Sequence, residues 1–375
     1  MKRTRSRPTG LGGIVGVLIA ALTGCGQDSK HALDASADFP CRVELVPTGL
    51  VLAADSSDRR PDPGARVARD SRGWMYTDAV GGGRILRWTP SGQFDTAVGR
   101  MGDGPGELSG GALHLYVAGD TLYVRENNRR WSLFSLDLKF IAHRPMGGLG
   151  GVLGFTHFLD DGRVLDGWPA TLGRGPRNNF LLATREGEAL RSFSKVDPDQ
   201  TRSGEIGRRL TAPRDGRFWA AAGARPSVGY ELEQWSVTGE RVRVVTRRVP
   251  WFLESRSEGR STQLPPLPYF GFVHEPTAGI LVTMVATAEA PLDPTVTGPE
   301  LLNSLGFHLE VLDLGRSEVL ASTRIAAGEL PVHLFEDSWE GYRTREDSVT
   351  GRVDLEFFEL RLTAVSNGSC RLPTR

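Results

Sequence analysis

Between Asp70 and Leu108 the chain reads DSRGWMYTDAVGGGRILRWTPSGQFDTAVGRMGDGPGEL, a series of short apolar-rich runs each ended by a turn signal, with no helical period. Trp74–Thr77, Arg84–Trp88 and Gln93–Val98 are expected strands, and Thr89-Pro90-Ser91-Gly92 supplies a turn in which Gly92 can take a positive φ. The stretch from Gly99 to Leu108 has the composition of a phosphate loop. It lacks a following Lys-Ser or Lys-Thr, however, and Pro105 removes an N–H donor. The next segment, Ala112–Val117, reads as a strand where a dinucleotide loop needs a helix. The glycine loop is therefore expected to join two strands of an all-β protein.

Asp70, Gly73 and Tyr76, followed by RILRW at residues 84–88, SGQF at 91–94 and GDGPGEL at 102–108, resemble one blade of an NHL-type β-propeller with its exit loop. In that family the glycine-rich segment carries the outer strand of one blade to the inner strand of the next. Weaker copies of the hairpin open at Gly119-Asp120, Asp161-Gly162, Asp215-Gly216, Ala278-Gly279 and Glu340-Gly341. Six hairpins imply a six-bladed β-propeller of four-stranded antiparallel blades, with the insertions Pro250–Pro268 and Pro291–Leu302 in loops. The last blade is one strand short, and Arg42–Ala53 is a strand-like stretch ahead of the first. Pairing of the N- and C-terminal strands is expected to close the ring.

The first 24 residues read as a bacterial lipoprotein signal peptide: Lys2, Arg3, Arg5 and Arg7, an apolar run from Leu11 to Leu22, then Leu22-Thr23-Gly24-Cys25, which resembles a lipobox. The run is too short to span a bilayer, which takes about 20 residues. Cys25 is the expected lipidation site and mature N-terminus. Gly26 stands where an inner-membrane retention aspartate could be, so an outer-membrane destination, on the periplasmic or surface face, is expected. Residues 25–40 read as a lipidated flexible tether and residues 41–375 as the propeller. Cleavage removes four of the 45 basic residues and none of the 45 acidic ones, leaving no nucleic-acid footprint. The two remaining cysteines, Cys41 and Cys370, read as a disulfide in an oxidising compartment, which requires the two chain ends to be neighbours.

Propeller inner strands surround a channel, and His114, His157 and His274 each lie five residues before the hairpin glycine of their own repeat, with His333 in a less certain register. Neutral imidazoles at one level could hold a transition metal. The competing reading packs each ring between blades with its nitrogens bonded to backbone. Asp78, Glu126, Asn127 and Asn128 sit at the turns after second strands, where related propeller hydrolases place a divalent ion. Turn bonding is the other role open to Asp78. Trp168, Trp219 and Trp251 read either as aromatic wedges between blades or as a face for a sugar or peptide. There is no G-x-S-x-G, H-E-x-x-H or Cys-His nucleophile pair. The expected function is a membrane-tethered binding module for a peptide, glycan or envelope protein, with no cofactor. The alternatives are a metal-dependent hydrolase or lyase using the channel, and an architectural subunit beside an envelope complex.

Overall fold

The computed structural model describes residues 30–33, 39, 41–53, 59–62, 66–109, 112–126, 130–146, 156–167, 170–171, 177–196, 207–221, 229–252, 268–288, 305–325, 332–336, 338–347, 352–365 and 370. Among them there is no α-helix. Strands β1 (Lys30–Ala32) and β2 (Cys41–Ala53) precede a run of antiparallel meanders. The first is β3 (Ala68–Arg69), β4 (Met75–Asp78), β5 (Ile85–Trp88) and β6 (Phe94–Val98). The second is β7 (Ala112–Ala118), β8 (Thr121–Glu126), β9 (Arg130–Ser135) and β10 (Phe140–Pro145). In the third, β11 (Thr156–Phe158), β12 (Arg163–Asp166), β14 (Arg177–Thr184) and β15 (Ala189–Lys195) lie in that order, and β13 (Ala170–Thr171) also pairs with β14. The fourth is β16 (Arg209–Leu210), β17 (Arg217–Ala221), β18 (Tyr230–Ser236) and β19 (Arg241–Arg247), extended by β1 in parallel to β19.

The remaining strands are β20 (Tyr269–Thr277), β21 (Ile280–Thr287), β22 (Gly306–Asp313), β23 (Glu318–Ile325), β24 (Val332–Leu334), β25 (Glu340–Asp347) and β26 (Arg352–Ala364). With β2 they form one eight-stranded sheet, ordered β20-β21-β22-β23-β2-β26-β25-β24. This architecture is a β-propeller. The expectation of six separate four-stranded sheets needs correction: four sheets stand alone, and the last seven strands are continuous with β2. The cause is local to β2. It pairs with β26 from Cys41 opposite Ala364 to Ala53 opposite Asp354, while Cys41 also meets Ala321 of β23 in a single parallel pair. Thr323 strengthens that seam by accepting from the Val43 N–H at 2.9 Å. Cys41 and Cys370 are joined by a disulfide, with Cα atoms 5.9 Å apart.

Burial explains why the strands read as they do. The second strand of each meander is sandwiched, so β4 and β21 are buried at every position, whereas the outer strands β6 and β15 are only partly covered. Apolar clusters between successive sheets carry the fold. Tyr76, Ile85 and Leu108 pack on Leu115, Leu122 and Phe134, and Phe180 and Phe193 pack on Phe218 and Trp235. Phe335, Tyr342 and Phe357 pack back onto Met75, Leu86 and Trp88, joining the last meander to the first. Each large side chain buried there contributes about 1.5–3 kcal/mol.

The hairpin glycines Gly73, Gly119, Gly162, Gly216 and Gly279 all have positive φ, as their turns require. Gly341 differs. It lies inside β25, where a Cβ would meet the His333 carbonyl oxygen at 2.4 Å, so packing rather than a turn demands glycine there. The Gly99–Leu108 segment is a strand connection, as expected. Its own Glu107 carboxylate accepts from the Gly104 N–H at 2.8 Å and from Arg100 Nε at 2.5 Å, which ties the loop to itself. Leu108 is fully buried and pins the loop.

The segment read as a tether is partly structured. Lys30–Ala32 adds to the edge of β19, Leu33 is buried, and Arg247 lies over the Phe39 ring.

Candidate functional site

The first strands of all the meanders converge on one axial cavity of about 560 Å³. Its wall includes Arg66 and Arg69 around β3, His114 and Tyr116 of β7, His157 of β11, Arg209 of β16, Tyr269 and His274 of β20, and His333 and Glu336 around β24. The sequence alignment of His114, His157 and His274 thus brings all three, and His333, to one place.

Register explains which of them are equivalent. Ala68, His157 and His274 each face the residue eight positions later across their hairpin, and the Thr211 N–H bonds the carbonyl of Trp219 at the same separation. His114 faces Arg125 instead, because the β7–β8 turn is tighter, with Ala118 opposite Thr121. Among the described residues no group of three or more His, Cys, Asp or Glu side chains is placed to hold a metal ion. His157 and His274 are engaged with backbone of the following meander, Nε2 of His157 with the Leu210 carbonyl at 3.3 Å and Nε2 of His274 with the Ser338 carbonyl at 2.9 Å.

The electrostatics divide the four rings. His157 Nδ1 lies 2.7 Å from Oε1 of Glu336. Burial alone depresses the basicity of His157, but the Glu336 carboxylate and the Leu210 carbonyl outweigh it, and the net shift is upward. Glu336 moves the other way: burial raises it, His157 pulls it down further, and the net shift is downward. His114 is held well below its ordinary value by burial and by the nearby Arg66 and Arg125, and His333 is pushed down to about 3 by burial and Arg66. Those two rings are neutral. Nδ1 of His114 and Nε2 of His333 are buried with no hydrogen-bond partner. Arg209, whose Nε donates to the Phe270 carbonyl at 2.9 Å, is lowered to about 9 by burial and by Arg66.

The second set of candidates is not in the cavity wall. Glu126 is buried as a structural acceptor, receiving the Ser109 N–H at 2.8 Å, both Nε and Nη2 of Arg130 at 2.9 Å, and the Ser132 hydroxyl. Asp78 ends β4, and burial and Asp62 push its carboxyl up to about 8. Asn127, Asn128 and Trp168 lie outside the described residues, as does Cys25. Trp219 is buried in the core, and Trp251 stacks on His308 at 3.8 Å.

Sequence reasoning passed over Arg66 and Arg209, although a signal was present. Each stands seven residues before its hairpin glycine, Gly73 and Gly216, in the two repeats that carry Ala68 and Thr211 at the histidine position. Strand alternation places positions two apart on one face.

No protein-family model matches the chain, and no curated protein sequence matches it. Solved structures are similar in fold. A member of the DUF4221 family from Bacteroides vulgatus aligns with a TM-score of 0.63 at 11% identity, over 86% of this chain and 99% of that one. A Bacteroides fragilis protein inferred to be exported aligns at 0.58 and 11%, over 89% and 98%. The WD40 β-propeller domain of Doa1 aligns at 0.43 and 10%, over 87% and 95%.

Proposed function

We propose that the chain is a cell-envelope lipoprotein whose single propeller is a binding module, taking a peptide, a glycan or a segment of an envelope protein at its axial cavity. The carrying observation is that cavity: every meander contributes its first strand, and polar and aromatic side chains from several of them gather there. We count six blades, treating β20–β23 and β2 with β24–β26 as two, because apolar clusters join each such unit to the next and the last to the first. The NHL resemblance of residues 70–108 agrees with that count. The Cys41–Cys370 disulfide supports an oxidising, extracytoplasmic compartment.

Lipidation at Cys25 then has a geometric consequence. Five peptide steps separate it from Lys30 on the edge of β19, a reach of at most about 18 Å. The rim of the fourth sheet is held close to the membrane, which by the lipobox context is the outer one.

Two measurements test this reading. Fatty-acid labelling in cells should be lost in Cys25→Ala. A photoreactive residue at Ala212, which lines the cavity, should give a discrete adduct that the same residue at exposed Gly81, outside the cavity wall, does not give. Equal adducts at both positions would place the ligand elsewhere and remove the cavity from the function.

A further inference from the structure

The charged groups that line the axial cavity are engaged within the protein. Arg69 is matched by Glu340 at 2.5 Å and lies over the Phe335 ring at 4.3 Å. His157 and Glu336 hold each other at 2.7 Å. Arg209 donates through Nε to the Phe270 carbonyl at 2.9 Å, and Arg66 is engaged as well. A charged ligand would enter this desolvated space without an uncommitted counter-ion, which is costly. The cavity therefore favours an uncharged one.

The polar groups left to a ligand are themselves neutral. His114 is held uncharged by burial, Arg66 and Arg125, and His333 by burial and Arg66. Both are half-buried rings in the cavity wall, His114 edge-on to Tyr116 at 6.3 Å and His333 stacked on Tyr342 at 5.0 Å. Nδ1 of His114 and Nε2 of His333 are sealed in the protein without partners. Each ring therefore offers the cavity its other nitrogen, which among the described residues forms no hydrogen bond. A neutral imidazole nitrogen donates or accepts according to its tautomer. A hydroxyl satisfies it in either state, whereas an amide N–H or a carbonyl satisfies one only. His333 is among the groups that lower His114, so the two rings lie near one another. Tyr269 brings a hydroxyl to the same wall.

Tyr116, Phe158, Phe272 and Phe307 add ring surface. Tyr116 and Phe158 each pack on Trp131 with centroids 5.9 Å apart, which fixes them before a ligand arrives. A cavity of about 560 Å³ with such rings and a few placed polar groups is of small-molecule size. A ligand that is uncharged, carries hydroxyls on its edge and presents C–H groups on its face meets all three conditions, and a sugar ring is such a ligand.

Resting on the binding-module reading, we infer that the axial cavity is a saccharide site: a neutral sugar unit of a glycan sets its hydroxyls against His114, His333 and Tyr269 and its C–H face against the aromatic wall.

A microarray of neutral, uronate-containing and sialylated oligosaccharides tests this, with the chain purified in a detergent that has no sugar headgroup. Signals should be confined to neutral glycans, and the strongest binder should titrate calorimetrically at one per chain. The double variant His114→Phe, His333→Phe keeps ring shape and removes the nitrogens, so its affinity should fall about tenfold or more. Its Tm should be unchanged or higher, because two unpartnered polar atoms leave the wall. Tyr269→Phe, which removes one hydroxyl, should weaken binding about threefold or more, and it carries the test should the double variant not fold. Silence across the array, stronger signals from acidic glycans, or wild-type affinity in the variants overturns the saccharide assignment. If a photoadduct still forms specifically at Ala212, the binding module stands with a peptide or protein as its ligand; if that adduct is lost too, both readings fall.

Discussion

His157 spans the axial cavity to Glu336, Nδ1 to Oε1 at 2.7 Å, while its Nε2 meets the carbonyl of Leu210 at 3.3 Å. Both ring nitrogens face acceptors, so the doubly protonated imidazolium is the form that satisfies the site. The ion pair ties the third meander to the last through the middle of the ring, where no backbone connects them.

A titration of the ring resonances should therefore place the His157 midpoint above its ordinary 6.5. In Glu336→Gln, burial is no longer outweighed and the midpoint should fall below that value. For stability the signs are opposite for the two partners. The His157 contribution is complete below 6.5 and is lost as pH rises through its raised folded value; the Glu336 contribution is present above its ordinary 4.5 and is lost as pH falls through its lowered one. The gap in Tm between wild type and Glu336→Gln should be widest between those two pH values. A gap that does not vary with pH would mean the pair is not ionised in the folded state.

Asp78 should behave in the reverse sense. Its carboxyl is raised from 3.8 to about 8, so its favourable contribution is present below 3.8 and is lost as pH rises towards 8, above which a buried charge must be carried. Asp78→Asn, which does not ionise, should gain in Tm over wild type steadily between pH 5 and pH 8. Melting curves at four pH values suffice, and parallel curves would contradict the burial argument.

The disulfide closes a loop with a sequence separation of 329 residues. In the chain-entropy model such a crosslink contributes roughly 5 kcal/mol. The double variant Cys41→Ser, Cys370→Ser should lose up to about that much in chemical denaturation. The propeller should still form, because β2 and β26 remain paired along their length.

Gly341→Ala should destabilise by about 1–3 kcal/mol through overpacking, since its Cβ would meet the His333 carbonyl at 2.4 Å and the Phe358 ring at 2.6 Å. Gly119→Ala has open space around the new methyl and carries only the strain of φ +62°, about 1 kcal/mol. Urea midpoints for the two should rank in that order.

The glycine loop, the hairpins and the histidine row were legible because each is a local pattern: turn glycines mark φ, and alternation marks faces. His157 and His274 fell into common register for that reason. His114 did not, because the β7–β8 hairpin turns directly after Ala118, opposite Thr121, and so sets a different pairing from the other repeats. The arginines at the same height were overlooked for a different reason: a guanidinium on an inner strand looks like any other surface arginine until the ring closes around it.

From the order of its residues alone, this chain was committed to short antiparallel strands, repeated hairpins, and chain ends drawn together around two cysteines, because turn chemistry and side-chain alternation act over a few residues. Only the tertiary structure decided that β20–β26 and β2 share one sheet, that Gly341 packs against its neighbouring strands, and that Arg66, Arg209, His157 and Glu336 line a common space. The pairing of β2 with β26 and the His157–Glu336 contact join residues far apart in the chain. They depend on how strands from different sheets are rotated about the axis, and no local rule carries that information.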